Sequence, residues 1–451
     1  MRLDDVFEGL DGSAGEAEVR GLTADSRKVQ PGFVFAALKG VAADGRDYIP
    51  QAIEKGAVAV IGADLPAIDG AVAIEAQEPR LALAMAAARL HPRQPETIAA
   101  VTGTNGKSST VDFLRQIWAT AGLKSASLGT LGAIGPSGVV DLGHTTPDPV
   151  AIHATLEALA DEGVTHAAME SSSHGLDQYR MHGVRLAAGA FTNLTQDHLD
   201  YHEKMDAYRA AKLKLFTELL PGGAPAIVNA DSPERDAFEA AALAKGLDLV
   251  SIGWRGEDLK IRELMPRATG QTLFMTWRGE DFQADLPLVG EFQALNALCA
   301  AGLALSLGTS LDDVARGLTA LKPVKGRLEL VGETGEGAGV FVDYAHTPAG
   351  LDVLIRAARP HTAGRLVVVF GCGGDRDRGK RPQMGEIAAK LADHVIVTDD
   401  NPRSEDPAAI RADILAAAPS AVEIGDRGDA IRSAVQSLRS GDTLLIAGKG
   451  H

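Results

Sequence analysis

The chain has 451 residues, with 44 Lys and Arg against 60 Asp and Glu, a formal net charge of −16 and two cysteines. That balance argues against a nucleic-acid surface, which needs a basic face, but not against an anionic substrate, because local Arg, Lys and Mg²⁺ override a global field. Cys299 and Cys372 lie far apart without Cys-x-x-Cys spacing, which excludes a disulfide framework and a thiolate metal site, and no apolar run approaches the roughly 18 residues that span a bilayer.

The length exceeds what one core usually holds, so several domains are expected. The opening Met1-Arg2-Leu3-Asp4-Asp5 is acidic and lacks the basic and apolar segments of a secretory leader. The expected location is the cytoplasm.

Residues 1–95 read as a small α/β domain. Residues 34–38 and 57–61 have the composition of buried strands, 48–55 has helical spacing, and 81–90 is an Ala-rich helix. Asp25-Ser26-Arg27 falls in a loop, where it serves either a polar ligand or a turn and cap. His91-Pro92-Arg93-Gln94-Pro95 ends the helix and marks a domain boundary.

Residues 96–325 repeat the strand–turn–helix rhythm of a doubly wound sheet. An apolar run at 97–102 meets Gly103-Thr104-Asn105-Gly106, and helical spacing follows from Lys107. A strand, a glycine turn and a helix N-terminus make a phosphate cradle, since backbone N–H groups and the positive helix end point at the anion. Lys107 would reach the β/γ-phosphates and the Ser108 hydroxyl a Mg²⁺ shell. The common P-loop is longer: only Thr104 and Asn105 stand here between Gly103 and Gly106-Lys107. Gly-Lys-Ser alone is a weak signal, and its place between strand and helix makes it a strong one.

Two later strands end in chemistry. Residues 165–169 run into Glu170-Ser171-Ser172-Ser173-His174, and 186–191 into Thr192-Asn193-Leu194-Thr195-Gln196-Asp197-His198. Ligands of open α/β sheets sit outside the carboxyl ends of strands, which puts Glu170 and His198 in one crevice with Lys107. They read either as Mg²⁺ ligands beside a triphosphate or as an ion-pair partner and a helix cap. Residues 208–216 form an amphipathic helix whose Lys212 and Lys214 read as a solvated face. Shorter strands follow at 226–229 and 273–277, and a long apolar helix runs from Gly290 through Leu307.

Residues 326–451 form another α/β unit. Strands at 340–343, 366–370, 394–398 and 443–447 each end in a polar loop, the pattern of a parallel sheet with a ligand at its carboxyl edge. Cys372 reads as a small buried filler.

Thr102-Gly103-Thr104-Asn105-Gly106-Lys107-Ser108-Ser109 resembles the ATP loop of the Mur ligases, the amide-forming enzymes of peptidoglycan assembly. The resemblance extends over essentially the whole chain, through Asp25-Ser26-Arg27, Thr145-Thr146-Pro147, residues 170–174, Asp197-His198, residues 343–348 and Asp400-Asn401-Pro402-Arg403. The last of these resembles the signature of members that add meso-diaminopimelate.

The resemblance implies an α/β fold of three domains: a small N-terminal α/β UDP-binding domain at 1–95, a central P-loop ATPase-like parallel sheet at 96–325, and a C-terminal Rossmann-like α/β domain at 326–451 for the amino acid. It implies a monomeric, ATP-dependent acid–amino-acid ligase acting on UDP-N-acetylmuramoyl-L-alanyl-D-glutamate and meso-diaminopimelate, without nucleic acid or membrane. ATP would be held by Gly103, Thr104, Asn105, Gly106, Lys107, Ser108 and Ser109, with Asn296, Arg327 and Asp343 around the nucleotide. Ser26, Thr145, Thr146, Ser172, Gln178 and Arg180 match positions that hold the UDP-substrate. Ser108, Glu170, His198 and Lys212 would hold Mg²⁺, Lys212 as a CO₂-derived carbamate, and Lys107, Glu170, His198 and Lys212 would be catalytic. Arg376, Asp400, Asn401, Pro402, Arg403 and Gly448 match the diaminopimelate pocket, Arg403 gripping the distal carboxylate that lysine lacks.

Two departures stand out. Gln293 occupies a position where the family usually has Asn, and family members continue beyond Gly448-Lys449-Gly450-His451 with a Glu for the diaminopimelate amine and a closing strand and helix, so a truncated C-terminus is expected. The competing readings are a sister ligase adding L-lysine, a folylpolyglutamate synthetase, and a non-catalytic P-loop nucleotide-binding protein. Intact Lys107, Glu170, His198 and Lys212 speak against the last.

Overall fold

The computed structural model describes residues 1–8, 15–40, 43–195 and 199–449. It is an α/β chain with parallel sheets in N-terminal, central and C-terminal domains, and its contacts divide it into two units, residues 1–250 with 303–308 and residues 251–302 with 309–451.

In the first unit, Gly21–Thr23, Phe33–Ala36, Ala59–Gly62 and Val72–Glu75 pair in parallel and in sequence order. Parallel neighbours need crossovers, and the helix Ile49–Glu54 supplies one. The helix Pro79–Leu90 starts with proline in its first turn, where no N–H is needed. Its Leu83, Ala86 and Ala87 share a core with Val34, Ala36 and Ile61 of the sheet.

The central sheet of this unit runs Pro225–Asn229, Ala188–Phe191, Thr97–Thr102, His166–Glu170 and Ser125–Gly129, all parallel, and ends in the antiparallel pair Gly132–Gly135 and Gly138–Val140. Ala99, Ala100, Ala188 and Ala190 are fully buried, as expected of strands covered on both faces. From Thr97–Thr102 the chain passes through the helix Lys107–Thr120 to Ser125–Gly129, then returns to His166–Glu170, and later crosses to Ala188–Phe191 on the opposite side. The order therefore reverses at Thr97–Thr102, the switch point at which open α/β sheets place ligands. Phe113, Leu114, Ile117 and Trp118 bury the sheet-facing stripe of the helix that follows.

One expectation is overturned in this unit. The helix Met205–Lys214 buries Tyr208, Ala211 and Lys212, so Lys212 does not belong to a solvated face. The backbone continues as a π-turn over Leu215–Leu219, an irregularity found most often near functional sites.

The second unit departs from the strand–helix rhythm. Leu259–Arg267, Gly270–Trp277 and Glu280–Leu286 form an antiparallel meander rather than shorter strands separated by helices. The reversal between Trp277 and Glu280 uses two residues of positive φ, Arg278 at 45° and Gly279 at 94°, which is how two-residue hairpins match strand twist. The C-terminal sheet of the unit is ordered Glu329–Glu333, Gly339–Asp343, Thr443–Ala447, Leu366–Phe370, His394–Val397 and Val422–Glu423, parallel except for its first strand. The last strand in sequence thus lies between two earlier ones, and their carboxyl ends share one edge. Cys372 is buried there against Met384. Among the described residues no helix is long and apolar enough to cross a membrane.

Candidate functional site

The loop after Thr97–Thr102 is strapped to the end of the neighbouring strand. Thr104 N–H donates to the Asn193 carbonyl at 2.8 Å, Asn105 N–H to Asn193 Oδ1 at 3.0 Å, and the Thr192 hydroxyl to the Asn105 carbonyl at 2.6 Å. Gly103 has φ 151°, and a Cβ on it would lie 1.9 Å from Thr192 Oγ1, so no other residue fits. Gly106, at φ 86°, is the left-handed N-cap from which Lys107–Thr120 starts. The first-turn amides of that helix then face the loop, as an anion cradle requires.

Lys107 Nζ donates to the carbonyls of Gly103 and Thr104, both at 2.9 Å. Lys212 is 1% exposed; its Nζ donates to the same Gly103 carbonyl at 2.7 Å and lies 4.5 Å from the Tyr208 ring centroid. A buried ammonium is costly unless paired, and a loop carbonyl and an aromatic face meet part of that demand.

Glu170 pairs in register with Val101, so it leaves the sheet at the same edge as the loop. Its buried carboxylate accepts from Thr130 N–H at 2.8 Å and the Thr130 hydroxyl at 3.3 Å. Thr130 Oγ1 meets Thr145 Oγ1 at 2.9 Å, and the Thr146 hydroxyl donates to the Glu170 carbonyl at 2.9 Å and accepts from Ser172 N–H at 3.0 Å. Arg180 donates to the Thr146 carbonyl at 2.6 Å and to Gln178 Oε1 at 2.8 Å. Thr145, Thr146, Ser172, Gln178 and Arg180, scattered in sequence, thus form one network with Glu170. Burial pulls the Arg180 guanidinium below its usual range, so an anionic group beside it would restore charge balance.

His198 lies outside the described residues, as do Gln196 and Asp197. Among the described residues no three His, Cys, Asp or Glu side chains gather as a metal-holding group. Glu170 and the Ser108 hydroxyl are hard oxygen donors of the type Mg²⁺ prefers, with water and phosphate oxygens completing such shells.

Ser26 belongs to a separate cluster: its hydroxyl donates to Gln51 Oε1 at 2.7 Å, and its carbonyl accepts from Lys55 Nζ at 3.1 Å. Asp25 is the cap that the plain reading of this loop expects, accepting from Arg27 N–H at 3.0 Å. The hydrogen-bonded Arg27 guanidinium holds its carboxyl down to about 2.

In the second unit a chain of bonds joins Asn296, Gln293, Arg327 and Asp343. Asn296 Nδ2 donates to Gln293 Oε1 at 3.3 Å, and Gln293 Nε2 to the Arg327 carbonyl at 2.9 Å. Leu328 N–H and Ala345 N–H donate to the two oxygens of Asp343 at 2.8 and 2.7 Å. Burial raises the Asp343 carboxyl above its usual range. Gln293, noted in the sequence only as a departure, is the buried link between two of the residues assigned to the nucleotide.

At the carboxyl edge of the C-terminal sheet, two loops meet. Arg403 Nη1 donates to the Gly374 carbonyl at 2.6 Å, Gly374 N–H to the Asn401 carbonyl at 2.9 Å, and Arg403 N–H to Asn401 Oδ1 at 3.3 Å. Arg376 is exposed on the first of these loops, and Pro402 follows Asn401 on the second. Gly448, at φ 94°, donates its N–H to the Asp343 carbonyl at 3.0 Å, and a Cβ on it would lie 3.5 Å from Asp400 Oδ2. Sequence reasoning missed Glu405, Arg381 and Arg427, which support these loops, because isolated charged residues ordinarily read as solvated. For Glu405 the nearness to Arg403 was the available signal.

Family models match three consecutive stretches: residues 18–101 match "Mur ligase family, catalytic domain", 101–304 the "Mur ligase middle domain", and 326–450 the "Mur ligase, glutamate ligase domain". The chain is 54% identical over 443 residues to the UDP-N-acetylmuramoyl-L-alanyl-D-glutamate–2,6-diaminopimelate ligase of Brucella melitensis, covering 98% of this chain and 91% of that protein. A solved structure of a ligase of that name superposes with TM-score 0.81 at 31% identity, covering 100% of this chain and 94% of the other. The MurF ligase of Thermotoga maritima in complex with ADP shares the fold at TM-score 0.65 and 18% identity, over 96% of this chain and 94% of that one.

Proposed function

The chain belongs to the Mur ligase family, and we propose that it joins meso-2,6-diaminopimelate to UDP-N-acetylmuramoyl-L-alanyl-D-glutamate with ATP in peptidoglycan biosynthesis, as a cytoplasmic monomer. The likeness to ligases of that name, sustained over nearly the full chain, carries this reading. The Asp400–Arg403 loop supports the choice of amino acid.

A carboxylate is a poor acyl donor. The D-glutamate carboxylate therefore attacks the γ-phosphorus of ATP, ADP leaves, and an acyl phosphate forms. The diaminopimelate amine then attacks the acyl carbon, and phosphate leaves with the C–O bond pair as the amine gives up its proton. Catalysis of this kind is mostly positioning and charge neutralisation. In the first unit the loop amides and Lys107 take the triphosphate. Arg180, Gln178, Ser172, Thr146 and Thr145 take the UDP-substrate, with Ser26 holding its uridine end. In the second unit Asn296, Arg327 and Asp343 serve the nucleotide, while Arg376, Asp400, Asn401, Arg403 and Gly448 serve the amino acid.

Mg²⁺ fits the oxygen donors Ser108 and Glu170, with His198 as a further ligand, and would supply charge neutralisation at the phosphates. Lys212 as an ammonium repels such an ion, whereas its carbamate would attract it. Its burial beside Lys107 supports the modified form, since one of two crowded cations would become an anion.

The test is phosphate release with ATP, the UDP-substrate and a panel of amino acids. Diaminopimelate should be required and lysine should fail, because lysine lacks the distal carboxylate that the Arg403 guanidinium would pair. Equal use of both would sink the assignment.

A further inference from the structure

Two residues other than glycine hold left-handed backbone in the amino-acid loops, Asp375 and Arg403, each at φ 50°. Such backbone persists only where its surroundings over-determine it. Part of that determination is mutual: Ser404 N–H donates to the Asp375 carboxylate at 2.9 Å and its hydroxyl at 2.7 Å, while Arg403 is tied to Gly374. The rest comes from Glu405. Its Oε1 accepts from Asp375 N–H at 2.6 Å and from Arg381 Nη2 at 2.8 Å, and its Oε2 pairs with Arg378 at 3.0 Å.

Arg381 is 1% exposed, and its Nη1 donates to Asp413 at 2.9 Å. Its Nε has no hydrogen-bond partner among the described residues. A buried ion pair with an unmet donor is a weak stabiliser, and an apolar side chain of similar volume would often serve the fold better. A role in placement accounts for it where stability does not.

We propose that Arg381 and Glu405 are positioning residues that fix the facing loops 371–377 and 398–405, and through them the guanidinium of Arg403 that selects the amino acid. Neither residue touches substrate. Glu405 acts through the Asp375 N–H, which shares one peptide group with the Gly374 carbonyl that holds Arg403. The inference rests on the ligase reading for the identity of the amino acid.

The experiment compares Glu405→Gln, Glu405→Asp and Arg381→Lys with the unaltered protein, all full-length. Glutamine keeps an acceptor for Asp375 N–H but loses the charge, aspartate shortens the reach, and lysine keeps the charge but loses the fork. Phosphate release is followed while each substrate is varied in turn. The KM for diaminopimelate should rise roughly tenfold to a hundredfold, the scale of small misplacements, and lysine should gain ground relative to diaminopimelate. The KM for ATP should stay within about twofold, because uniform damage would move all constants together. Unchanged KM for diaminopimelate in the folded variants would overturn the proposal, as would parallel loss in every constant. If one variant does not fold, the other two are judged by the same criterion. A wild type that turns over with another amino acid refutes the choice of diaminopimelate alone, and positioning is then scored on that amino acid's KM.

Discussion

Lys107 and Lys212 donate to one oxygen, the carbonyl of Gly103, at 2.9 and 2.7 Å. Two ammonium groups that share one loop carbonyl repel each other, and a phosphate anion bound beside them would lower that cost. The two lysines are expected to respond differently to substitution.

Lys107→Ala removes the point charge assigned to the γ-phosphate. Phosphate release should fall by at least about a hundredfold, the usual loss when one preorganised charge is removed. Thermal unfolding should shift little, since Lys107 is only half-buried. A variant with near-normal turnover would take the loop out of the mechanism.

Lys212→Ala should also lose activity, but short carboxylic acids should restore part of it by replacing the lost carbamate oxygens. The unaltered protein equilibrated with ¹³C-bicarbonate should show a carbamate carbon resonance that the variant lacks. Absence of that resonance in active protein would rule the modification out.

Arg403→Ala should cut use of diaminopimelate by the equivalent of about 2–5 kcal/mol, much of it the penalty of an orphaned carboxylate. Nucleotide binding, measured by calorimetry with ADP, should be nearly unaffected. Equal losses for both ligands would remove Arg403 from amino-acid selection.

His361 carries a structural prediction. Its Nδ1–H donates to the carbonyls of Arg267 and Gly270 at 2.8 and 3.1 Å, and its Nε2 accepts from Gly290 N–H at 3.0 Å. The ring thus ties the hairpin turn to the start of the helix that carries Gln293 and Asn296. Burial lowers its pKa, so the protonated form is favoured by the unfolded chain. The neutral ring's contribution is complete above the unfolded-state pKa, about 6.5, and is lost as pH falls through the lower folded-state value. His361→Ala should cost about 1–3 kcal/mol at neutral pH by leaving buried groups unpaired. Urea midpoints on either side of that range should separate less in the variant than in the unaltered protein.

The sequence revealed what local chemistry dictates. Gly103, Gly106 and Lys107 between an apolar run and a helical one announced the loop, and Glu170 at a strand's end announced its neighbour, because turns and periodicity are short-range properties. Long-range burial was hidden. Lys212 sits at helical spacing that suits a solvated face, and only the distant Gly103 loop packed against it makes it a buried donor. Glu405 and Arg381 are 24 residues apart, and nothing local says that one is buried to hold the other. The meander at Leu259–Leu286 escaped because its alternation is broken by a register shift between Ile261 and Glu263 and because Arg278 is an uncommon residue for positive φ.

The two cysteines offer a practical consequence. Burial pushes the Cys299 thiol up to about 12 and the Cys372 thiol up to about 11, so neither forms a nucleophilic thiolate at neutral pH. Folded protein should resist iodoacetamide, and alkylation should proceed only as fast as the chain opens. Both thiols lie in the second unit and none in the first. The reagent therefore works as a stopwatch for one half of the molecule, and a single cysteine engineered into a buried site of the first unit would time the other half independently.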